Sequence, residues 1–463
     1  MKCNLSFKSI VLIVSTICVS SQLSLYTLPK EFANLYGAAC LDGSPPAFYY
    51  APAADPAYAS NFQLFYEGGG WCFDETAAGT IASCASRAMG GGGSSNNNAP
   101  TMIVGGQLSQ DSARNPYYYN WTMIFMRYCD GASGTSNATD PVPIDEDLQS
   151  QLNKQVELYP SKFFSNVKAP SEIYFRGRAN VIAQLEYLKQ YLGLGNATDI
   201  IVTGGSAGAT TAYLALDFIK NWAEPNVRVV GAPDAGFFQD TPKLPNGDYW
   251  YCDNFAGAYT VWNSSGSLSQ QCLDAYPQNQ SLCLIQPYAA KFIETPFMIL
   301  NSAYDAYQTI NERGLNCVPS VNGQPVAGLP SCNSSQLVDF QAYRLSQLAS
   351  MQDALDLPGT GAFVTSCFVH EQNVDYCSSQ ALPNCRGFIE YTVEVSNGSR
   401  INMAEGFHQW HTAIQNQYDN IVKIRRDIIQ NGNKDMYSTS YWKQYQVLDS
   451  SIYPANPSCP YPI

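Results

Sequence analysis

The sequence predicts an α/β fold in which a mainly parallel sheet is covered on both faces by helices. Short apolar runs rich in β-branched and aromatic residues alternate with longer helical patterns. The chain has 463 residues, of which 45% are hydrophobic and 14% charged, and this composition suits a large buried core. No charged run, Pro/Ser-rich linker or internal repeat marks a domain boundary. We therefore expect a single elaborated domain over residues 22–463.

Six segments are predicted as strands because each is a short, bounded apolar run. They span residues 62–66, 122–128, 200–203, 227–230, 297–301 and 362–366. Helical patterns follow at 207–222 and at about 411–430. Residues 240–294, with three cysteines and many turn residues, are predicted to form an insertion over the sheet. The low-complexity stretch 89–98 (MGGGGSSNNN) is predicted to be a mobile loop that buries little.

Residues 1–21 have the pattern of a secretory signal peptide. Lys2 and Lys8 supply positive charge around an apolar run over residues 10–19, and the small residues Ser20 and Ser21 follow. The run is too short to span a bilayer. We therefore predict a secreted, extracellular protein with no membrane span.

Cysteine and sequon usage agrees with export. Of fifteen cysteines, Cys3 and Cys18 lie in the leader; thirteen remain, so we expect disulfides and at least one unpaired thiol. A metal site is not expected, because no CxxC pair occurs and the histidines do not extend the cysteines into a zinc pattern. Seven sequons are candidates for glycosylation: Asn120, Asn137, Asn196, Asn263, Asn279, Asn333 and Asn397.

The acidic charge limits the possible partners. The formal net charge is −13, which argues against nucleic acid as a partner. The same charge disfavours a polyanionic substrate at neutral pH. The sequence does not indicate an oligomeric state.

The strongest motif is Gly204-Gly205-Ser206-Ala207-Gly208, which matches the G-x-S-x-G pattern of a nucleophile elbow. An apolar strand precedes it and a long helical pattern follows it, as a tight strand-to-helix turn requires. The alternative is a glycine-rich turn that only packs a strand against a helix. The context favours Ser206 as the nucleophile of a serine hydrolase.

A serine hydroxyl needs a base to take its proton, and histidine is the usual one. All three histidines follow Ser206, so the chain order of nucleophile, acid and histidine does not choose among them. His370 comes just after a predicted strand, where loops carry catalysis. His408 and His411 are expected at the start of a helix, where packing or solvent exposure is the usual role.

The acid and the oxyanion donors are also expected in loops after strands. Asp305 follows the strand at 297–301, whereas Asp234 and Asp240 follow the strand at 227–230 and compete with it. Each could instead anchor a turn. For the oxyanion, the backbone N–H of Ala207 and the run Gly68-Gly69-Gly70 are candidates, because preorganised N–H donors are required there.

Together these segments resemble the family of pectin acetylesterases and Notum, whose members have α/β-hydrolase-like folds. The similarity runs in order from about Leu35 to Trp410. The segments that carry it are 66–72 (YEGGGWC), 115–121 (NPYYYNW), 127–131 (RYCDG), 174–177 (YFRG), 234–238 (DAGFF), 303–308 (AYDAYQ) and 366–370 (SCFVH). The chain departs from the family at Ala209, where a glycine is usual, and in the glycine- and asparagine-rich tract at 90–98.

The resemblance implies a triad of Ser206, Asp305 and His370, and an oxyanion hole formed by Gly69, Gly70 and Ala207. It makes Asp234 a structural residue and implies no metal or cofactor. Cys72 and Cys84 are close in sequence, and we predict a disulfide between them that pins the glycine-rich loop.

The implied activity is hydrolysis of an acyl ester by a Ser-His-Asp acyl-enzyme mechanism. The segments are similar to the plant-like branch, which favours removal of acetyl groups from a pectin-like polysaccharide. One alternative is a Notum-like deacylase of longer acyl chains. An alternative of another class is an inactive hydrolase homologue that only binds glycans.

Overall fold

The structure is a computed structural model, and it is built around a ten-stranded sheet. The structure describes residues 21–158, 168–244, 246–315, 317, 320–321, 324–325, 332–374, 387–395, 398–453 and 459. The predicted leader therefore lies outside the described residues except for Ser21, which begins the first strand.

The strands of the central sheet are labelled here in chain order. They are β1 (Ser21–Thr27), β2 (Ala47–Ala51), β3 (Asn61–Tyr66), β4 (Thr101–Val104), β5 (Thr122–Met126), β6 (Asp199–Gly205), β7 (Arg228–Asp234), β8 (Met298–Ser302), β9 (Gly361–Thr365) and β10 (Gln446–Leu448). Their spatial order is β10-β9-β8-β7-β6-β3-β5-β2-β1-β4. The pairings from β10 to β5 are parallel, whereas β2, β1 and β4 extend the sheet by antiparallel pairing. The predicted mainly parallel fold is confirmed.

Twelve α-helices surround the sheet in the described part of the chain. They are α1 (Lys30–Leu35), α2 (Ala77–Ala88), α3 (Glu146–Leu158), α4 (Gly177–Tyr191), α5 (Ala207–Trp222), α6 (Trp250–Trp262), α7 (Gln270–Ala275), α8 (Gln286–Ala289), α9 (Ser334–Ser350), α10 (Gln352–Leu355), α11 (Met403–Gln415) and α12 (Tyr418–Asn431). Three two-stranded ribbons join Val142–Pro143 to Glu172–Ile173, Ser320–Val321 to Gln324–Pro325, and Thr392–Glu394 to Arg400–Asn402.

The parallel strands are buried on both faces, as their sequences predict. Every residue of β5, β6, β8 and β9 is buried. One apolar cluster includes Leu64, Val202 and Leu216 of β3, β6 and α5, and a second includes Phe65 of β3 with Trp410 of α11. The two clusters hold helices against opposite faces of the sheet.

Residues 240–294, predicted as an insertion, contribute α6 to α8. Helix α6 packs closely on the chain that follows the glycine run: a Cβ atom on Gly257 would lie 2.2 Å from the carbonyl oxygen of Asp74. The insertion therefore covers the segment that carries the candidate oxyanion donors.

The prediction of one helix over 411–430 is wrong. Two helices, α11 and α12, occupy this region, and α11 begins at Met403. Its start is set by Asn402, whose side chain accepts a hydrogen bond from the backbone N–H of Glu405 at 2.8 Å. Helix α11 ends at Gln415. The backbone leaves the helical region at Gln417, with φ −134°, and α12 begins at Tyr418. His408 and His411 therefore lie inside a helix and not at its start.

The prediction that residues 89–98 bury little is also wrong. Ser94 and Ser95 are only 8% and 6% exposed. The hydroxyl of Ser95 donates to the carbonyl of Pro45 at 2.6 Å, and Gly93 accepts from the backbone N–H of Asp42 at 3.1 Å. A Cβ atom on Gly93 would lie 2.6 Å from the carbonyl oxygen of Arg87, so the glycine lets the tract pack against the end of α2.

Five disulfides link described cysteines, as the odd and abundant cysteine content suggested. They are Cys40–Cys129, Cys72–Cys84, Cys272–Cys283, Cys317–Cys332 and Cys367–Cys459. Within the described residues Cys252 is a free thiol.

The structure shows how exposed the predicted glycosylation sites are and whether a described helix could span a membrane. Five sequon asparagines are exposed, Asn120 is half-buried, and Asn397 lies outside the described residues; the exposed ones are Asn137, Asn196, Asn263, Asn279 and Asn333. Among the helices that the structure describes, none combines the length and apolar character needed to cross a membrane.

Candidate active site

The nucleophile candidate lies at a sharp turn between β6 and α5. Ser206 has φ 55° and ψ −125°, a backbone conformation that non-glycine residues seldom adopt. Its N–H donates to the carbonyl of Asp234 at 3.0 Å, which fixes the turn against β7. A Cβ atom on Gly208 would lie 2.0 Å from the carbonyl oxygen of Tyr66, so the helix can start this close to β3 only with glycine there. This is the geometry of a nucleophile elbow.

The base and acid candidates meet at the carboxyl ends of β8 and β9. Nδ1 of His370 lies 3.0 and 2.8 Å from the two carboxylate oxygens of Asp305. Asp305 is fully buried, and the imidazole stacks on Tyr307 with ring centroids 5.3 Å apart. This carboxylate therefore holds the ring by Nδ1. Nε2 is buried and has no hydrogen-bond partner among the described atoms, so it is the nitrogen left for proton transfer.

The charge around His370 favours its protonated form. Burial alone lowers the pKa of His370, but the charge and hydrogen bonds of Asp305, followed by the charges of Glu371 and Asp234, raise it above its ordinary value near 6.5. Asp305 is thus placed to stabilise the imidazolium that forms when the ring takes a proton.

Asp234, the competing acid, does not contact His370 through a hydrogen bond in the described structure; it holds the backbone beside it. One carboxylate oxygen accepts from the backbone N–H groups of Gln372 and Asn373 at 2.5 and 2.8 Å. Burial raises the pKa of this carboxyl to about 8. Because its own carbonyl binds the N–H of Ser206, Asp234 ties the elbow to the loop that carries His370.

Glu371 brings a carboxylate to the elbow itself. Its Oε1 atom would lie 2.5 Å from a Cβ atom on Gly205 and 3.0 Å from one on Gly68. The same Cβ position on Gly68 lies 2.9 Å from the Cβ of Ser206. The loop of His370, the glycine run and the elbow therefore converge on one point.

The predicted oxyanion segment has the backbone that glycine permits. Gly69 has φ 139° and Gly70 has φ 65°. The hydroxyl of Tyr128 donates to the carbonyl of Gly70 at 2.9 Å, and the guanidinium of Arg87 donates to the carbonyl of Gly69 at 2.7 Å. Because side chains from other segments donate hydrogen bonds to both carbonyls, the loop has a defined conformation.

A hydrogen-bond chain fastens this loop to the elbow. Trp71 Nε1 donates to the hydroxyl of Ser133 at 2.7 Å, and that hydroxyl donates to the carbonyl of Ala207 at 2.7 Å. The backbone N–H of Ser133 donates to the hydroxyl of Tyr128 at 3.2 Å. Gly70 and Ala207, two of the three predicted oxyanion residues, are therefore connected through Tyr128 and Ser133.

The disulfide between Cys72 and Cys84 adds a covalent tie, as predicted from their closeness in sequence. It joins the end of the glycine run to α2, the helix that also carries Arg87. A crosslink of this kind limits the conformations that the loop can adopt.

His408 and His411 belong to a different part of the molecule. His411 is 4% exposed, lies 3.1 Å by Nδ1 from the hydroxyl of Tyr118, and stacks on Phe407. His408 stacks on Tyr117 with ring centroids 4.0 Å apart. Burial lowers the pKa of both imidazoles, that of His411 to about 4. Their contacts are those of packed aromatic residues.

Sequence reasoning missed four residues that complete this site: Arg87, Ser133, Tyr128 as a hydrogen-bond donor, and Glu371. Glu371 adjoins a predicted catalytic residue, and this position was the available signal. The other contacts join segments far apart in the chain, and no local pattern marks them. Among the described residues there is no group of three or more His, Cys, Asp or Glu side chains arranged to hold a metal ion.

Comparison with known proteins decides the family. A family model described as Pectinacetylesterase matches residues 21–460. The chain belongs to the pectinacetylesterase family. Pectin acetylesterase 11 of Arabidopsis thaliana is 28% identical over 368 residues, covering 79% of this chain and 84% of that one. Palmitoleoyl-protein carboxylesterase notum1a of Danio rerio is 24% identical, covering 66% and 56%.

The solved structures agree on the fold of this pectinacetylesterase family member. The Wnt deacylase Notum from Drosophila superposes with a TM-score of 0.67 at 18% identity, covering 95% of this chain and 100% of that one. The resemblance read from the sequence is confirmed, and so is the Notum-like α/β-hydrolase fold. The family membership also identifies the chain as a carboxylesterase.

Proposed function

We propose that this family member is a secreted serine esterase that removes acetyl groups from a pectin-like polysaccharide. The observation that carries the proposal is the strained Ser206 at the elbow together with the buried pair of His370 and Asp305. Relatives named pectin acetylesterase support the choice of substrate.

The reaction would proceed by two acyl transfers. Ser206 Oγ attacks the ester carbonyl while Nε2 of His370 takes the hydroxyl proton, and Asp305 stabilises the imidazolium. The N–H groups of Gly69, Gly70 and Ala207 would stabilise the oxyanion. The C–O bond to the sugar then breaks, the sugar hydroxyl leaves with the proton from His370, and acetyl-Ser206 remains. His370 then deprotonates a water molecule, whose oxygen attacks this ester; the bond from the acetyl carbon to Ser206 Oγ breaks, Oγ takes the proton back from His370, and acetate leaves.

A short acyl group is favoured by the aromatic packing beside the histidine. Phe238 lies 6.2 Å from the His370 ring, and Trp71 packs on Phe238 with centroids 4.9 Å apart. These rings are 0% and 7% exposed. Space next to the imidazole is thus filled with side chains, which leaves little room for a long acyl chain on that side.

The experiment is a series of p-nitrophenyl esters from acetate to octanoate. We expect kcat/KM to fall along the series, because added methylenes must clash or stay in water. In a deep apolar pocket each methylene would instead contribute about 0.8 kcal/mol of binding. A steady rise to octanoate would favour the deacylase of longer chains, and no hydrolysis at all would favour the glycan-binding alternative.

The proposal includes export and modification. The leader over residues 1–21 would be removed, leaving one esterase domain from about residue 22. The exposed asparagines Asn137, Asn196, Asn263, Asn279 and Asn333 are the sequons most accessible to glycan transfer. The five disulfides suit an oxidising compartment.

A further inference from the structure

A groove of about 530 Å³ opens beside the candidate oxyanion segment, and the mechanism above does not use it. Gly68 and Gly69 line one side, and residues 90–92 line another. Gly68 also touches the nucleophile, because a Cβ atom on it would lie 2.9 Å from the Cβ of Ser206. The groove and the nucleophile elbow therefore share Gly68 as a neighbour. Its volume is within the range of ligand sites, roughly 300–1,000 Å³.

Arg87 gives this groove a positive charge, and it forms no salt bridge with an acidic side chain among the described residues, although Glu67 and Asp130 are close enough to interact with its charge. Its Nε donates to the carbonyl of Gly92 at 2.9 Å, and its Nη2 donates to the carbonyl of Gly69 at 2.7 Å. The other lining cation, Arg127, is ion-paired with Glu67. A guanidinium has five N–H donors, so two backbone carbonyls orient Arg87 and leave donors for an anion.

The remaining lining groups suit a polyhydroxylated ligand. Ser83 and Ser86 contribute hydroxyls, and the glycines at 90–92 contribute bare backbone. A Cβ atom on Gly91 would have no heavy atom within 4 Å, so a chain of sugars can approach the backbone there. The glycine-rich tract, which the mechanism leaves unexplained, thereby gains a role as a wall of this groove.

Two charged side chains near the groove have opposite electrostatic preferences. Oε1 of Glu371 would lie 3.0 Å from a Cβ atom on Gly68, and its negative charge disfavours a substrate carboxylate there. Arg87, which lines the groove and donates to the carbonyl of Gly69, attracts one. An acidic sugar unit bound in the groove would therefore point its carboxylate towards Arg87 and away from Glu371.

We propose that this groove binds a uronic acid unit next to the acetylated unit, with Arg87 donating hydrogen bonds to its carboxylate. The inference rests on the proposed function and names the chemistry by which that site would recognise its polymer. It explains how a chain with a net charge of −13 could act on a polyanion. Charge-assisted Arg–carboxylate hydrogen bonds are short and directional, so one local arginine can outweigh a diffuse, screened repulsion.

The first test compares two inhibitors of p-nitrophenyl acetate hydrolysis by the intact protein: trigalacturonate and its methyl ester. We expect the free acid to inhibit at least about tenfold more strongly, which is the size of a hydrogen bond to a charged group. Equal inhibition, or none, in an enzyme that hydrolyses p-nitrophenyl acetate overturns the groove proposal alone. An absence of hydrolysis overturns the proposed function instead.

The second test measures trigalacturonate binding by calorimetry in the Ser206→Ala background. Arg87→Gln should abolish the difference between the free acid and the ester, whereas Arg87→Lys, which keeps the charge, should retain part of it. Arg176→Gln is the matched control, because it removes one positive charge outside the groove, and it should retain the full difference. If Arg87→Gln binds the free acid as selectively as this control, the proposal is wrong. If Arg87→Gln does not fold, Arg87→Lys and the ester comparison decide.

Discussion

At the scale of single residues, the site combines one strained backbone with one buried histidine–aspartate pair. Ser206 has φ 55°, and the surrounding glycines and the carbonyl of Asp234 hold it there. Strain of this kind costs roughly 1–3 kcal/mol and persists only where the fold imposes it. His370 and Asp305 are held in turn by stacking and two short contacts, so the reactive groups depend on the scaffold for their geometry.

The three histidines should separate cleanly in mutagenesis. His370→Ala should abolish turnover, since losing the base of a serine hydrolase triad costs on the order of 10⁶ in kcat. His408→Ala and His411→Ala should keep near-normal kcat. His411→Ala should still lower the unfolding free energy by about 1–3 kcal/mol, because it leaves the hydroxyl of Tyr118 unpaired.

The measurement is kcat on p-nitrophenyl acetate together with urea unfolding for each variant. A folded His370→Ala protein with normal turnover would mean that another group is the base. Loss of turnover in folded His411→Ala would also show that the assignment of His370 as the base is wrong.

At the scale of secondary-structure elements, the site is assembled at the carboxyl ends of parallel strands. Ser206 follows β6, Asp305 follows β8 and His370 follows β9, which are positions where α/β sheets place ligands and catalytic groups. Asp234, at the end of β7, links the elbow to the loop after β9. The strand β7, which lies between the strands that precede Ser206 and Asp305, therefore carries a residue that positions both the elbow and the loop after β9.

We predict that Asp234→Asn preserves the loop, whereas Asp234→Ala disrupts it. The Asn oxygen can still accept from the N–H groups of Gln372 and Asn373, but Ala leaves two buried donors unpaired, at about 1–3 kcal/mol each. The pKa of Asp234 is raised to about 8 in the fold, so its contribution is present at acid pH and is lost as pH rises towards 8.

Urea unfolding at pH 5 and pH 8 checks this. The stability of the unmodified protein relative to Asp234→Asn should fall by at least about 1 kcal/mol between these values. An unchanged difference would show that Asp234 is ionised throughout, and equal stability of the Ala and Asn variants would remove its structural role.

The sequence predicted the elements whose signals are local. The strands β3 and β5 to β9 are bounded apolar runs, and the elbow motif consists of five consecutive residues. The strands β1, β2, β4 and β10 were missed; β1 interleaves polar residues, and β10 is a three-residue edge strand. The contact from Ser133 to Ala207 spans 74 residues, and that from Arg87 to Gly69 spans 18. Such pairings arise from the tertiary fold, so no window of sequence shows them.

At the scale of the whole molecule, the buried acids dominate the dependence of stability on pH. Five carboxyls have pKa values raised mainly by burial: Glu67, Asp130, Asp217, Asp234 and Glu312. Both oxygens of Glu312 lack a hydrogen-bond partner among the described atoms. Ionising these groups inside the fold is unfavourable, and the net charge of −13 adds self-repulsion at neutral pH.

We predict that the protein is more stable in mild acid than at pH 8. A group whose pKa is raised in the fold contributes stability below its unfolded pKa and loses it as pH rises through the folded value, here from about 4 upwards. His411 acts in the opposite sense, because its pKa is lowered to about 4 and protonation would disrupt its site. The melting temperature should therefore be highest at about pH 4–5 and fall towards pH 8. A maximum at pH 8 or above would show that burial does not raise the pKa values of these carboxyls.

The proposed hydrolysis requires Ser206 to be an activated nucleophile, and covalent labelling reports on that activation. An organophosphonate reacts with a serine whose hydroxyl is deprotonated by a neighbouring base, as at the elbow described here. Intact-mass and peptide analysis should find one adduct on Ser206, loss of p-nitrophenyl acetate hydrolysis in step with labelling, and no adduct in Ser206→Ala. A folded protein that hydrolyses the ester without labelling at Ser206, or a Ser206→Ala variant with near-normal turnover, would show that Ser206 is not the nucleophile.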